Sequence, residues 1–299
     1  MQIIIHIGVH KTATTWLQQK LFSSHPEINL INNFMYPWND DLISYLIKSS
    51  SFSPEYCRDI FEERIKNNTN KTIVISTEEF VGHPFSGGYN KKLIANRLSQ
   101  VFPDAKIILT IRNQADITYS LYQQMVKMGY LGSISQMLNE DFWSRPGFRN
   151  EFFDYYSIYK LYTGLFKAQN IGVFSQEQLK SNSEFFIKNV CDFIGVDSTK
   201  FKLDVKPVAK SLSEKKIKAI RFMNHFRNTE YNPYPVFQIK NKVGIKVMVK
   251  LISLLPFLGG QKKIYEELHK RKIYEFFRKS NESLFNKVTL DIKTKSKYY

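Results

Sequence analysis

The chain has 299 residues and carries 43 lysines and arginines against 27 aspartates and glutamates, a formal net charge of +16. A hydrophobic content of 43% is enough for a core, which excludes intrinsic disorder and a small disulfide-stapled scaffold. Thirteen glycines and ten prolines are too few for collagen-like or low-complexity classes.

Strands and helices alternate through the first 200 residues. Aliphatic, largely β-branched runs predict buried strands at residues 3–8, 72–76, 106–111 and 171–174. Apolar periodicity predicts helices at residues 12–22 (with Thr12 as the N-cap), 93–101, 115–128 and 183–194. The alternation predicts an α/β fold, a P-loop-like three-layer domain whose parallel sheet is flanked by helices. From residue 211 onward the pattern is mostly helical, including residues 213–226 and 262–277.

Neither an internal repeat nor a linker rich in Gly, Pro or Ser divides the chain. We therefore expect one domain over residues 1–299, with an α/β core at 1–200 and a helical, basic C-terminal part at 201–299. That last part holds 23 basic and 8 acidic residues, whereas the first 200 residues are nearly neutral. It is expected to face an anionic partner: a phosphorylated cofactor, an acidic glycan, a membrane surface or nucleic acid.

Several features bear on location. Cys57 and Cys191 match no metal-ligand spacing, and reduced thiols in a cytoplasmic protein are the expectation. The apolar residues 1–7 lack a basic region before them and predict a strand rather than a leader. The apolar run at 251–260 is about half of the ~20 residues that a membrane span needs. Residues 243–260, which include Lys246 and Lys250, predict either a buried helix with a solvated lysine edge or an apolar face that rests on the inner surface of an anionic membrane.

The strongest chemical signal is the first strand-to-helix turn, Ile7-Gly8-Val9-His10-Lys11-Thr12-Ala13-Thr14-Thr15. A loop that opens a helix presents backbone N–H groups and the positive end of the helix dipole, which together attract anions. Lys11 adds a positive charge, the threonines add hydroxyl donors, and the small Ala13 lets a phosphate approach the backbone closely. The turn therefore predicts a phosphate site.

The nucleotide-binding P-loop, G-x-x-x-x-G-K-[ST], matches this turn only in part. His10 rather than glycine precedes Lys11, and only two residues separate Gly8 from Lys11. No predicted strand ends in the aspartate that a magnesium-dependent NTPase uses to hold its metal. The pattern fits a donor that is transferred without magnesium, so no metal is expected.

Two motifs together are specific. His10-Lys11-Thr12-Ala13-Thr14-Thr15 resembles the 5′-phosphosulfate loop of sulfotransferases, usually K-T-G-T-T, with Ala13 in place of the glycine. It is most similar to bacterial members that begin H-I-G-x-H-K-T-G-T-T. Ile108-Leu109-Thr110-Ile111-Arg112, followed by Tyr119-Ser120, resembles the 3′-phosphate motif of the same family, in which the planar guanidinium and a hydroxyl recognise the phosphate. Weaker similarity at Glu78 and at residues 154–156, 173–179 and 279–284 extends over most of the chain.

The resemblance implies in-line transfer of a sulfuryl group from 3′-phosphoadenosine 5′-phosphosulfate (PAPS) to a hydroxyl, with adenosine 3′,5′-bisphosphate (PAP) as product. It implies cofactor binding by His10, Lys11, Thr12, Ala13, Thr14, Thr15, Arg112, Ser120 and Lys210. Lys11 would stabilise the leaving phosphate and Glu78 would act as general base, with Glu79, His10 and His83 as alternative bases. The implied acceptor is a glycan or a lipid-linked glycan.

Two other functions stay open at this point. One is a P-loop kinase or NTPase, which the incomplete glycine pattern and the absent aspartate disfavour. The other is a non-catalytic nucleic-acid-binding protein based on the basic last third, which contains no recognisable binding module.

Overall fold

The computed structural model describes residues 1–32, 41–139, 147–202, 212–235, 237, 242–254 and 261–299. Within them a single parallel sheet is formed by β1 (Gln2–His6), β2 (Ile28–Asn32), β3 (Thr72–Ser76), β4 (Lys106–Ile111) and β5 (Ile171–Ser175). The strand order is β2-β3-β1-β4-β5, so β1 lies at the centre. His6, the last residue of β1, pairs in register with Ser76 of β3 and with Ile108 of β4.

The helices connect and follow these strands. They are α1 (Thr14–Trp16), α2 (Asp41–Lys48), α3 (Pro54–Ile65), α4 (Lys91–Val101), α5 (Gln114–Met128), α6 (Ile134–Asn139), α7 (Tyr155–Thr163), α8 (Gln176–Ser181), α9 (Ser183–Ile194), α10 (Glu214–Met223), α11 (Lys242–Ile252), α12 (Gln261–Leu268), α13 (Lys270–Phe285) and α14 (Ile292–Lys295). The first helix continues without a break as a π-helix over Leu17–Phe22. Such wide turns are common near functional sites.

Side chains alternate between the two faces of the sheet because successive residues of a strand point in opposite directions. Ile4, Val74 and Ile108 pack on one face against Leu17 and Leu21 of the π-helix and against α9. Ile5 and Ile75 are equally buried and point to the opposite face. A sheet that is apolar on both faces must be covered on both, so the predicted three-layer α/β fold is confirmed.

Four predicted strands and most predicted helices form where the sequence places them. The edge strand β2 was not predicted; two of its five residues are asparagines, and three of the five are only partly buried. The expectation that Thr12 caps the first helix is wrong: Ala13 occupies the N-cap position, and the Thr12 hydroxyl donates to the Val9 carbonyl instead.

The contacts of the chain group into two compact units. The first comprises Met1–Asn113, Trp143–Val208 and Phe277–Tyr299, and contains the sheet. The second comprises Gln114–Phe142 and Ala209–Phe276, and its described residues are helical or irregular. The division therefore differs from the predicted one at residue 200, because the C-terminal segment groups with the sheet and α5 groups with the helical part. The assignment of one domain to residues 1–299 stays a prediction.

Three further expectations concern this framework. Cys57 and Cys191 are buried thiols without a disulfide, and burial raises the pKa of each to about 12. Over the described residues, no helix combines the length and the apolar character needed to cross a bilayer. Of residues 243–260, those at 255–260 lie outside the described part of the chain.

Candidate active site

The loop between β1 and α1 contains two residues in the left-handed region, Lys11 and Ala13, each with φ of 68°. For residues other than glycine this conformation costs about 1–2 kcal/mol each, so it persists only where the surroundings impose it. Ala13 occupies the position of the usual glycine in the resembled motif. Its backbone turns the chain into α1, whose N-terminus the loop precedes.

Gly8 is required by close approach rather than by its backbone angles. A Cβ atom there would lie 2.3 Å from Thr14 Oγ1, 2.7 Å from His6 Nε2 and 2.9 Å from Thr110 Oγ1. None of these neighbours is the far end of a long flexible side chain. Glycine therefore lets the loop pass directly over the ends of β1 and β4.

A buried polar network supports the loop from below. His6 hydrogen-bonds Ser76 Oγ at 2.8 Å and Thr110 Oγ1 at 3.3 Å, and Thr110 contacts the Thr12 hydroxyl at 2.8 Å. Gln18 donates to Ser76 Oγ at 2.9 Å. Burial lowers the pKa of His6 to about 3, so the ring is neutral at physiological pH. Sequence reasoning missed this network, although polar residues at the ends of apolar strands are the signal that could have revealed it.

Two adjacent carboxylates follow β3 and face His10. The Thr77 side chain accepts from the Glu79 N–H and caps the short turn Glu78–Val81. His10 Nε2 lies 3.5 Å from Glu79 Oε1 and 3.8 Å from Glu78 Oε2. The His10 side chain is 5% exposed, that of Glu79 17% and that of Glu78 29%.

The two carboxylates differ in their electrostatics. Burial raises the pKa of Glu78, and the opposing charges of His10 and Lys11 do not cancel this effect. Burial acts on Glu79 in the same sense, but the hydrogen bond and charge of His10 outweigh it and hold the pKa of Glu79 below its usual value. The His10 pKa is lowered by burial and raised more strongly by the two carboxylates, so its net shift is upward. Glu79 is thus engaged by His10, whereas Glu78 is the more basic and more accessible carboxylate.

His83 lies beside His10 as well, with the two ring centroids 5.4 Å apart in an edge-to-face arrangement. One ligand atom from each of His10, Glu79 and His83 lies within 4.8 Å of the others, a grouping that resembles a metal-binding triad. His83 Nδ1, however, already accepts the N–H of Phe85 at 3.3 Å. The expectation that no metal is needed stays a prediction.

Arg112 links the end of β4 to the loop, because its Nη1 donates to the Lys11 carbonyl at 3.2 Å. Tyr155 fixes the Arg112 backbone by donating to its carbonyl at 2.7 Å. The next residue, Asn113, donates its N–H to Glu177, and Glu177 in turn accepts from Tyr298 at 2.7 Å. The C-terminal segment therefore helps to position the strand end that carries Arg112.

Two buried nitrogens around the loop, His10 Nδ1 and Arg112 Nε, lack a hydrogen bond to any described residue. The Thr14 hydroxyl is buried as well, and it interacts with the Glu78 carboxylate, whose pKa it lowers. A buried polar atom left unsatisfied costs about 1–3 kcal/mol, and native proteins contain few of them. Their grouping at one loop is the feature expected of a site that a polar ligand completes.

The structure brings most of the predicted residues together. His10, Lys11, Thr12, Ala13, Thr14 and Thr15 form the loop and the start of α1, and Arg112, Glu78 and Glu79 contact it. Thr12 and Thr14 are buried, whereas Thr15 is exposed. Ser120 lies in α5, in the second unit, and is half-buried. Lys210 lies outside the described residues.

The family model of the sulfotransferase domain matches residues 2–242. The chain belongs to the sulfotransferase family. It is accordingly a sulfotransferase enzyme. The match does not assign the chain to either alternative, a kinase or a nucleic-acid-binding protein. A comparison of this sulfotransferase with curated proteins found no match.

One solved structure with a TM-score above 0.5 agrees with the family assignment at the level of the fold. A sulfotransferase from Alicyclobacillus acidocaldarius is 16% identical with a TM-score of 0.52, over 82% of this chain and 99% of that chain. The mouse sulfotransferase SULT7A1, complexed with PAP, is 12% identical with a TM-score of 0.42, over 95% of this chain and 84% of that chain. The sulfotransferase domain from the curacin biosynthetic pathway is 12% identical with a TM-score of 0.40, over 85% of this chain and 96% of that chain.

Proposed function

We propose that this sulfotransferase moves a sulfuryl group from PAPS to a hydroxyl of a glycan, with Lys11 on the leaving-group side and Glu78 as general base. The observation that carries the proposal is the pair of buried nitrogens without a hydrogen bond, His10 Nδ1 in the β1–α1 loop and Arg112 Nε beside it. A phosphosulfate ester offers several acceptor oxygens, and these suit a loop built of N–H, hydroxyl and guanidinium donors.

The donor-binding residues are assigned by their place in the loop. Lys11 and the backbone at the start of α1 would hold the 5′-phosphosulfate, and Thr14 would donate its buried hydroxyl to it. Arg112, which already donates to the Lys11 carbonyl through Nη1, has a buried Nε without a hydrogen bond and would contact the 3′-phosphate. Ser120 and Lys210 keep their proposed roles as further donors to the nucleotide. When bound, the donor supplies a sulfuryl group whose bond to the 5′-phosphate breaks as the acceptor oxygen bonds to sulfur.

Lys11 would stabilise the negative charge that develops on the leaving phosphate. A preorganised donor of this kind acts without further reorganisation at the moment of reaction. The left-handed conformation of Lys11 and its neighbour Ala13 supports such preorganisation, because the backbone is already held in the shape that the loop requires.

Glu78 is favoured over Glu79 as the base that takes the proton of the acceptor hydroxyl. Its side chain keeps 29% of its surface exposed, against 17% for Glu79, and the burial of the remainder raises its pKa toward the range in which a carboxylate accepts a proton efficiently. Glu79, held by His10 at a lowered pKa, is a weaker base. His10 would then orient the carboxylate pair rather than act as the base itself.

The donor assignment is tested by titration calorimetry with PAP, 5′-AMP and ATP with magnesium. We expect PAP to bind at least about 10-fold more tightly than 5′-AMP, since a charge-assisted contact contributes about 1.5–3 kcal/mol. Tighter binding of ATP with magnesium than of PAP would contradict the proposal and favour a magnesium-dependent nucleotide site. The same titrations apply to Lys11→Ala. Its matched control is Lys66→Ala, which replaces an exposed lysine of the same unit.

The acceptor class rests on the resemblance to bacterial glycan-modifying members. Mass spectrometry of surface glycans and lipid-linked precursors from cells with and without the protein should show sulfate added only in its presence. A cytoplasmic location is part of the proposal and agrees with the two unpaired cysteines. Sulfate transfer to small phenols with no change in the glycans would contradict the acceptor class while leaving the donor chemistry intact.

A further inference from the structure

Helix α11 exposes apolar side chains along one side. Val243, Val247 and Leu251 of the helix, with Leu254 in the turn after it, are between 52% and 70% exposed. These residues recur at helical spacing and form one strip, called here the outer strip. A row of large aliphatic side chains in water is unfavourable, and such contiguous patches commonly mark an interaction surface.

The opposite side of α11 is packed. Val249 is buried against Ala219 and Met223 of α10, and Ile245 and Ile252 contact the same cluster. The exposure of the outer strip is therefore not a sign of a helix that lacks a core. The prediction of a buried helix with a solvated lysine edge therefore holds for the packed side of the described part, and the outer strip departs from it by being exposed.

Two exposed lysines border the outer strip. Lys246 and Lys250 lie one turn apart on the edge between the packed side and the outer strip. Residues 242–254 contain no acidic residue, so the surface is apolar and positively charged at once. Lysines at such an edge can extend their ammonium groups to polar headgroups while their methylene stems stay beside apolar groups.

We propose that the outer strip rests on an anionic bilayer, with its aliphatic side chains at the headgroup boundary and Lys246 and Lys250 against acidic headgroups. The strip covers about 17 Å at 1.5 Å per residue, against the ~30 Å of a bilayer core, so the helix lies in the interface and does not cross. Charge complementarity selects the bilayer over a second copy of the chain, whose strip would carry the same lysines. The proposal is independent of the catalytic assignments.

The test is co-sedimentation of the full chain with vesicles of phosphatidylcholine alone and of phosphatidylcholine with phosphatidylserine. Binding is expected to the anionic vesicles at about 50 mM salt, with release as the Debye length shrinks at higher salt. Lys246→Gln with Lys250→Gln should weaken the partition coefficient by about 25-fold, since each basic residue near the surface contributes about 5-fold. Val247→Ser with Leu251→Ser should weaken it by at least about 10-fold.

Matched controls separate the surface from overall charge and stickiness. Lys66→Gln with Lys92→Gln removes the same charge from the sheet unit, and Leu93→Ser with Phe185→Ser removes exposed apolar side chains there. Both pairs should retain binding, and circular dichroism checks that every variant is folded. Equal loss in the control and strip variants would overturn the proposal. So would the absence of binding to anionic vesicles, or a dimer in sedimentation velocity that only the strip substitutions dissociate.

Discussion

The loop between β1 and α1 and the adjoining Arg112 bury nitrogens that lack a hydrogen bond, whereas the outer strip of α11 exposes apolar side chains. Each region reverses the ordinary burial preference of its side chains, and each does so in a different unit of the chain. The two regions also differ in what they suit. The nitrogen donors at the loop, which include the Arg112 guanidinium, suit an anionic ligand. The aliphatic side chains beside lysines suit an apolar surface with acidic headgroups.

The two proposed functions should therefore be separable, because their residues lie in different units of the chain. Substitutions in the loop should change sulfuryl transfer and leave vesicle binding unaltered. Substitutions in the outer strip should weaken vesicle binding and leave sulfuryl transfer unaltered when the transfer is assayed with a soluble acceptor. Each loop variant is therefore also to be assayed for vesicle binding, which should be unaltered.

Glu78→Gln has the largest expected effect, a fall in turnover of about 10²–10⁴-fold with donor affinity retained, because it removes the general base and keeps the shape. Glu79→Gln is the matched comparison, and its smaller loss should reflect its engagement by His10. Steady-state kinetics and PAP calorimetry measure the two effects. A larger loss in Glu79→Gln would exchange the roles of the two carboxylates.

Lys11→Ala should lower turnover by about 10²–10³-fold, the usual cost of one preorganised donor to the charge that develops in the transition state. Lys66→Ala should leave the rate unchanged. The assignment of Lys11 to the leaving-group side would be wrong if the variant had the same melting temperature as the native enzyme and an activity within a few-fold of it.

Arg112→Ala should weaken PAP binding by about 10–100-fold, in line with a charge-assisted contact of about 1.5–3 kcal/mol. Its preference for PAP over 5′-AMP should largely disappear, because the 3′-phosphate is the group that Arg112 is proposed to bind. Calorimetry with both nucleotides measures the ratio. An unchanged ratio would assign Arg112 to holding the Lys11 carbonyl alone.

The pH profile of kcat/KM should show an acid limb that lies above the usual carboxyl range, because burial raises the pKa of Glu78. As the pH falls through that raised value, Glu78 gains a proton and can no longer accept one, so the rate falls. The charge of His10 lowers the pKa of Glu78, so His10→Gln should shift the limb to higher pH. A shift to lower pH would show that Glu78 does not control the limb.

Ala13→Gly has the smallest expected effect. Relief of the left-handed strain, about 1–2 kcal/mol, is offset by the greater chain entropy of glycine, about 0.5–1 kcal/mol, so the free energy of unfolding should rise by about 1 kcal/mol or less. Thermal unfolding measures this, with Ala95→Gly inside α4 as a control that should destabilise the protein. A fall in stability for Ala13→Gly would show that the loop is not strained at this position.

Local sequence patterns were enough to predict the parallel α/β fold, the loop at His10–Thr15 between the first strand and the first helix, and the family. These features are local: a buried parallel strand is continuously apolar, and a loop that opens a helix needs its residues in consecutive order. Only the tertiary structure distinguished Glu78 from Glu79, since adjacent carboxylates look alike until His10, 68 residues earlier in the chain, lies against one of them more closely. Only the tertiary structure shows that Tyr298 and the Asn113 N–H both donate hydrogen bonds to Glu177, and that one side of α11 is exposed. Pairings of this kind join residues far apart in the chain, and burial is a property of what packs against a helix, so no local pattern encodes either.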